Sequence, residues 1–186
     1  MSFLSKTRLC LTRVSRGTAL AGLYLLFITA LGVSADILVR KLFGIAFVGI
    51  DELGGYAMAL ATSWALSYAF LEGAHIRVNI VHMNLRPAAK AWLDVAAVLV
   101  TAIMIGLLTW QVWIVAHESL VFDAVSNTPL RLPLWIPQFL FLGGVLLFLV
   151  SSVVVFLETL GYAIKGRHDE VLEIVEERQQ VGEYTL

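Results

Sequence analysis

The sequence predicts an all-α integral membrane protein with four transmembrane helices and both termini in the cytoplasm. Three observations lead there. First, 59% of the 186 residues are hydrophobic and 15% are charged, with a mean hydropathy of +0.85, whereas a soluble chain is about 25% charged. Second, the apolar residues gather in four stretches, each long enough for the roughly 20 residues that a helix needs to cross hydrocarbon. Third, ten of the 13 Lys and Arg residues fall on one side of four such crossings, the bias that sets membrane topology. No stretch alternates in the way a membrane strand requires, and only helices or closed barrels satisfy backbone groups in lipid.

The first span runs from about Gly17 to Val39. Its basic flank and the run Val33, Ser34, Ala35 resemble a signal peptide cleaved before Asp36. The apolar run is about 19 residues, longer than a signal peptide's 7–15, so an uncleaved anchor is expected. Asp36 and Arg40 stand four apart on one helix face, a spacing that lets them pair. Arg40 can then snorkel to water, or also meet Asp51 or Glu52 at the start of the next span.

The second span covers about Ile50 to Leu71. Asp51 and Glu52 open it, where a helix N-terminus favours negative charge. Gly54, Gly55 and Ala59 here, with Gly17, Gly22 and Ala30 in the first span, are the small residues that let membrane helices approach closely. Trp64 and Tyr68 lie deeper and are expected to pack between helices.

After it comes a polar connection with Glu72, His75, Arg77 and His82. Ile76, Ile80 and Met83 share one helical face and Asn79, His82 and Arg86 another, which suits a short amphipathic helix lying in the interface. Ile76, Val78 and Ile80 also alternate, which suits an extended loop equally well.

Pro87 sits where a first helical turn tolerates it, and the third span runs from about Ala88 to Ala116. Asp94, about one turn inside, is expected to be structurally paired. The fourth span runs from about Leu132 to Ile164, with Pro133 at its start, Pro137 in its first turn or at a kink, Gln138 as a lone polar group, and Glu158 near enough to the far end to snorkel. Both later spans exceed the minimum, so tilt or emergence into the headgroups is expected. Trp110, Trp113 and Trp135 fall at one interface and Trp92 at the other, the depth tryptophan prefers. Residues 1–166 thus form a membrane domain, and residues 167–186 a charged tail that is a short solvated helix or a frayed end.

The orientation follows from the cations. Lys6, Arg8, Arg13, Arg16, Arg77, Arg86, Lys90, Lys165, Arg167 and Arg178 lie on one side, and Arg40, Lys41 and Arg131 on the other. The first side is therefore cytoplasmic. The opposite loops are too short to house a soluble active site.

Several functions are excluded. A net charge of -1 offers no field for nucleic acid. Cys10 is the single cysteine, so no internal disulfide forms. His75, His82 and His117 lie at depths where they cannot face each other as axial haem ligands. There is no phosphate loop or nucleophile motif, no mid-span break flanked by acidic groups, and no internal repeat. No catalytic, cofactor, metal or substrate-binding residue is expected. A small bundle without a site of its own most often partners another membrane protein. Its rivals are the membrane anchor of a redox complex and a self-sufficient small exporter or channel.

Four features, in order, resemble the small membrane subunit (DctQ type) of TRAP transporters, the tripartite ATP-independent periplasmic carriers. Arg40 with Phe43 closes span one. Asp51, Glu52 and Tyr56 open span two. Span two exits as Phe70, Leu71, Glu72, Gly73, Ala74, His75, Ile76, Arg77, Val78. Thr128, Pro129 and Leu130, then Pro133, Leu134 and Trp135, lead into span four. The family often has an Arg shortly before that His, where this chain has Glu72 and Gly73. The resemblance covers roughly residues 15 to 160. It implies a bacterial inner-membrane scaffold clamped against a large elevator subunit that carries the substrate and sodium sites. It also implies that the periplasmic loops help receive a substrate-binding protein, and that the cargo is a carboxylate driven by an ion gradient. Arg40, Asp51, Glu52, Tyr56 and His75 are the expected complex-holding residues, with Trp135 at the periplasmic surface.

Overall fold

A computed structural model describes residues 3–45, 47–73, 86–167 and 170–171. The amphipathic run around His82, the candidate contact His75, and the tail beyond Val171 lie outside the described residues. Among the described residues four α-helices carry the fold: α1 (Phe3–Phe43), α2 (Ile50–Leu71), α3 (Pro87–Val121) and α4 (Trp135–Ile164). Three of them, α1, α3 and α4, are long and apolar enough to cross a membrane.

The ends follow local chemistry. α1, α2 and α4 each stop against a glycine in the left-handed region, Gly44, Gly73 and Gly166 at φ of 71°, 73° and 71°. A left-handed residue closes a helix by turning its own N–H back onto the last carbonyls, as when Gly44 N–H donates to the Arg40 carbonyl at 3.1 Å. Pro87 opens α3, where its missing N–H costs nothing. Pro137 falls in the first turn of α4, where its missing N–H removes no intrahelical bond.

Four boundaries differ from the sequence reading, two of them simple extensions: α1 runs on to Phe43 past Val39, and α3 to Val121 past Ala116. α1 starts at Phe3, well before the apolar run at Gly17, because Lys6 to Arg16 continue the helix past the hydrocarbon. It runs unbroken through the cleavage-like Val33–Ala35 run. α4 starts at Trp135, not Leu132, because residues up to Leu134 are held by the preceding loop: Ser126 N–H donates to the Leu132 carbonyl and Leu134 N–H to the Ala124 carbonyl, both at 2.9 Å.

The helices alternate in direction, and their packing order is α1, α2, α4, α3. α1 packs on α2, α2 on α4 and α4 on α3, with a smaller contact between α1 and α4. Gly22 sets the first crossing: a Cβ there would lie 2.9 Å from the Ala61 Cα. Gly144 sets the second, where a Cβ would lie 2.6 Å from the Ser63 hydroxyl and 2.7 Å from the Trp64 ring. Such close approach gains dispersion that lipid cannot compete with. Gly17 and Gly55 face open space instead. Phe70 and Phe148, with ring centroids 5.3 Å apart, join Leu71, Val98 and Val155 in the main apolar cluster. Trp64 does lie between helices, its indole N–H donating to the Leu140 carbonyl at 3.1 Å.

Candidate functional site

The polar groups of the helices collect at three levels. Three serines form a ladder that starts between Arg13 and Arg16, at the Arg8 side of the bundle. Ser67 of α2 lies 2.8 Å from Ser15 of α1 and 2.7 Å from Ser151 of α4, oxygen to oxygen, and all three residues are fully buried. Ser151 also donates to the Leu147 carbonyl at 2.8 Å. A hydroxyl both donates and accepts, so a chain of three satisfies itself without water. It ties α1, α2 and α4 together.

The second level is where α1 ends and α2 begins. Asp36 is 1% exposed. Its Oδ2 takes the Arg40 guanidinium at 2.5 Å, and its Oδ1 takes the Phe47 backbone N–H at 2.6 Å. One carboxylate thus holds both the helix end and the connection to α2. The intrahelical pair expected from spacing is formed. The wider pairing of Arg40 with Asp51 or Glu52 is not: Asp51 is exposed, and Glu52 is engaged elsewhere. Glu52 accepts hydrogen bonds from the Tyr56 hydroxyl at 2.5 Å and from the Thr128 hydroxyl. Arg40 is left half-exposed, with its side chain on Asp36.

Thr128 belongs to the loop between α3 and α4, and that loop is ordered by its own bonds. Val125 and Pro133 form an isolated antiparallel bridge. The Ser126 hydroxyl lies 2.9 Å from that of Thr128 and accepts the Leu132 N–H at 3.2 Å. Asp123 and Arg131 take positive φ at the two sides of the turn, 46° and 47°. Leu130 lies on the α1–α2 connection, where a Cβ on Gly49 would come within 3.0 Å of it. The two short loops therefore form one plate, with Glu52 at its centre. Trp135 stands beside it as the first residue of α4, 37% exposed. Trp113 packs at 6.0 Å on both His117 and Phe139.

The third level lies at the opposite end of the helices. Glu158 is 3% exposed and faces inward, with Oε2 at 3.6 Å from Arg8 Nε. The expected snorkelling of Glu158 is thus corrected: the helical extension of α1 brings Arg8 over it. Asp94 of α3 is likewise buried, at 2% exposure. Beyond α4, Arg167 stacks at 5.4 Å over the Tyr162 ring and pairs with Glu170.

Sequence reasoning brought out Asp36, Arg40, Glu52 and Tyr56, and the structure joins them in two clusters, Asp36 with Arg40 and Glu52 with Tyr56. It missed Ser126 as part of the Glu52 cluster, the serine ladder, and Gly144. Helical serines usually bond back to their own turn, so their sequence carries no trace of an interhelical role.

A family model described as the DctQ component of tripartite ATP-independent periplasmic transporters matches residues 29–161. No curated protein and no solved structure matches the chain.

Proposed function

The chain belongs to the DctQ family of tripartite ATP-independent periplasmic transporters, and from that premise we propose that it is the static wall on which the large membrane subunit of such a transporter is mounted. As a DctQ protein it is a small, multi-pass membrane component of the bacterial inner membrane, a transporter part and not an enzyme.

The observation that carries the proposal is the serine ladder, Ser15 to Ser67 to Ser151. It locks three helices to one another through fully buried hydroxyls, where a transport pathway would instead leave polar groups open to cargo. The Glu52 plate locks the loops in the same way. A body braced at both levels resists deformation when a neighbour moves against it.

In this reading α2 is the fourth crossing. Its 22 residues at about 1.5 Å each give some 33 Å, enough for a hydrocarbon core of about 30 Å. The cation bias directs both termini to the cytoplasm and the Glu52 plate to the periplasm. There Arg40, Asp51, Glu52, Tyr56 and Trp135 sit at or beside the surface that meets the large subunit and the incoming substrate-binding protein. The cargo is an organic acid, drawn in by an ion gradient, sodium by preference, through sites in the large subunit.

The test is uptake into proteoliposomes holding the large subunit, with its binding protein and a sodium gradient. Adding this chain should restore transport that the large subunit alone lacks, and the two should co-purify. Full transport without the chain would sink the proposal. Transport by the chain alone would replace it with a self-sufficient carrier.

A further inference from the structure

Two contacts fix how α1 is rotated. Arg8 turns inward to Glu158, 3.6 Å away, and Ser15 turns inward to Ser67, 2.8 Å away. At 100° per residue, positions 6, 13, 16, 20, 24, 27 and 31 then share an outward sector of about 80°. Lys6, Arg13 and Arg16 are all exposed on it. Among the described residues, no carboxylate pairs with any of them. Directly along the same sector stand Leu20, Tyr24, Phe27 and Leu31, exposed at 45%, 66%, 62% and 57%. The change from cation to hydrocarbon falls at Gly17, where the apolar run begins.

This face is therefore amphiphilic along its length, not around its circumference. A peptide helix from a partner would have to carry the reverse pattern, acid then apolar, in matching register. A phospholipid has that pattern by its nature. We propose that the outer face of α1 binds one anionic phospholipid, its phosphate on Arg13 and Arg16 and an acyl chain along Leu20, Tyr24 and Phe27. The forked guanidinium donors suit phosphate oxygens. Lys6, two turns further from the bilayer, meets the headgroup's outer charge. Arg8 takes no part, because Glu158 holds it. The ligand is a lipid and not free phosphate, because the site continues into hydrocarbon.

The experiment uses the purified full chain in detergent, with retained lipid measured by native mass spectrometry. Phosphatidylglycerol should bind in preference to phosphatidylcholine. Each basic residue near an anionic surface contributes about fivefold in affinity, so R13Q/R16Q should weaken phosphatidylglycerol binding roughly 25-fold. The pair R13K/R16K keeps the charge and should keep most of the binding. R167Q, at a different helix end, should change nothing. Equal retention of phosphatidylglycerol by R13Q/R16Q and the wild type would overturn the site, as would equal binding of the two lipids. A salt titration of the wild type needs no variant at all. Raising salt to about 1 M shrinks the Debye length to about 3 Å and should strip the phosphatidylglycerol. Binding unmoved by salt would also overturn the proposal.

Discussion

Glu52, in the first turn of α2, accepts a hydrogen bond from Thr128, 76 residues further along the chain. That one contact joins the two short loops into a single plate, since Tyr56 holds the same carboxylate from below.

Glu52→Gln keeps the shape but halves the acceptors of that carboxylate and removes its charge. The variant should melt at a lower temperature than the wild type in detergent. Thr128→Val should do the same, and E52Q/T128V should lose less than the two singles combined, because both act on one bond. Strictly additive losses would show that Glu52 and Thr128 do not act together.

Ser67 is the middle of the ladder, so Ser67→Ala breaks two interhelical contacts at once. Interhelical side-chain hydrogen bonds in membranes average about 0.6 kcal/mol and reach about 1.7, so S67A should cost about 1–3 kcal/mol in a denaturant titration in micelles. Ser151→Ala should cost less, because it leaves the Ser15–Ser67 bond intact. A Ser67→Ala variant as stable as the wild type would remove the ladder as a brace.

Glycine positions separate close packing from open space. Gly144→Ala places a methyl 2.6–2.8 Å from the Ser63 and Trp64 atoms, so it should push α2 from α4 and lower the melting temperature. Gly143→Ala and Gly161→Ala meet nothing within 4 Å. Removing a helix-interior glycine there should stabilise by up to about 1 kcal/mol. The sign of the change should thus reverse between Gly143 and its neighbour Gly144.

Topology is checked by labelling. Cys10 and Asn127 are both exposed and lie at opposite ends of the helices. An impermeant maleimide added to intact spheroplasts should label N127C in a C10S background and leave native Cys10 unlabelled. The reverse pattern would invert the orientation drawn from the cations.

What the sequence made legible was mostly local. Hydropathy marks helices, so all four elements are found, although α1 begins well before its apolar run. The Asp36–Arg40 pair follows from one helical turn of spacing. Glu52 is visible as an acid at a helix start, but its partner Thr128 is not, because no periodicity links residues on separate loops. Glu158 shows the same limit more sharply. Its depth alone suggested a side chain reaching for water. Its burial depends on α1 continuing as a helix to Arg8, and that stretch is too polar to register as part of a span. Ser15, Ser67 and Ser151 look like ordinary helical serines until three helices are superposed.

In the proposed four-span reading, the order in which α1 and α2 leave the ribosome would give their packing a role in biogenesis. A translocon that sorts segments by partition into lipid would retain α1 readily and hesitate at α2, whose length and apolarity fall short of the other three. By then α1 already offers Gly22 and the Ser15 hydroxyl, the features against which Ala61 and Ser67 later rest. Insertion of α2 would then be a docking event between two nascent helices and not a solo decision by the second. A mutation in α1 that spoils this groove would then surface as misinserted chains and quality-control degradation, before any assembled transporter could be assayed.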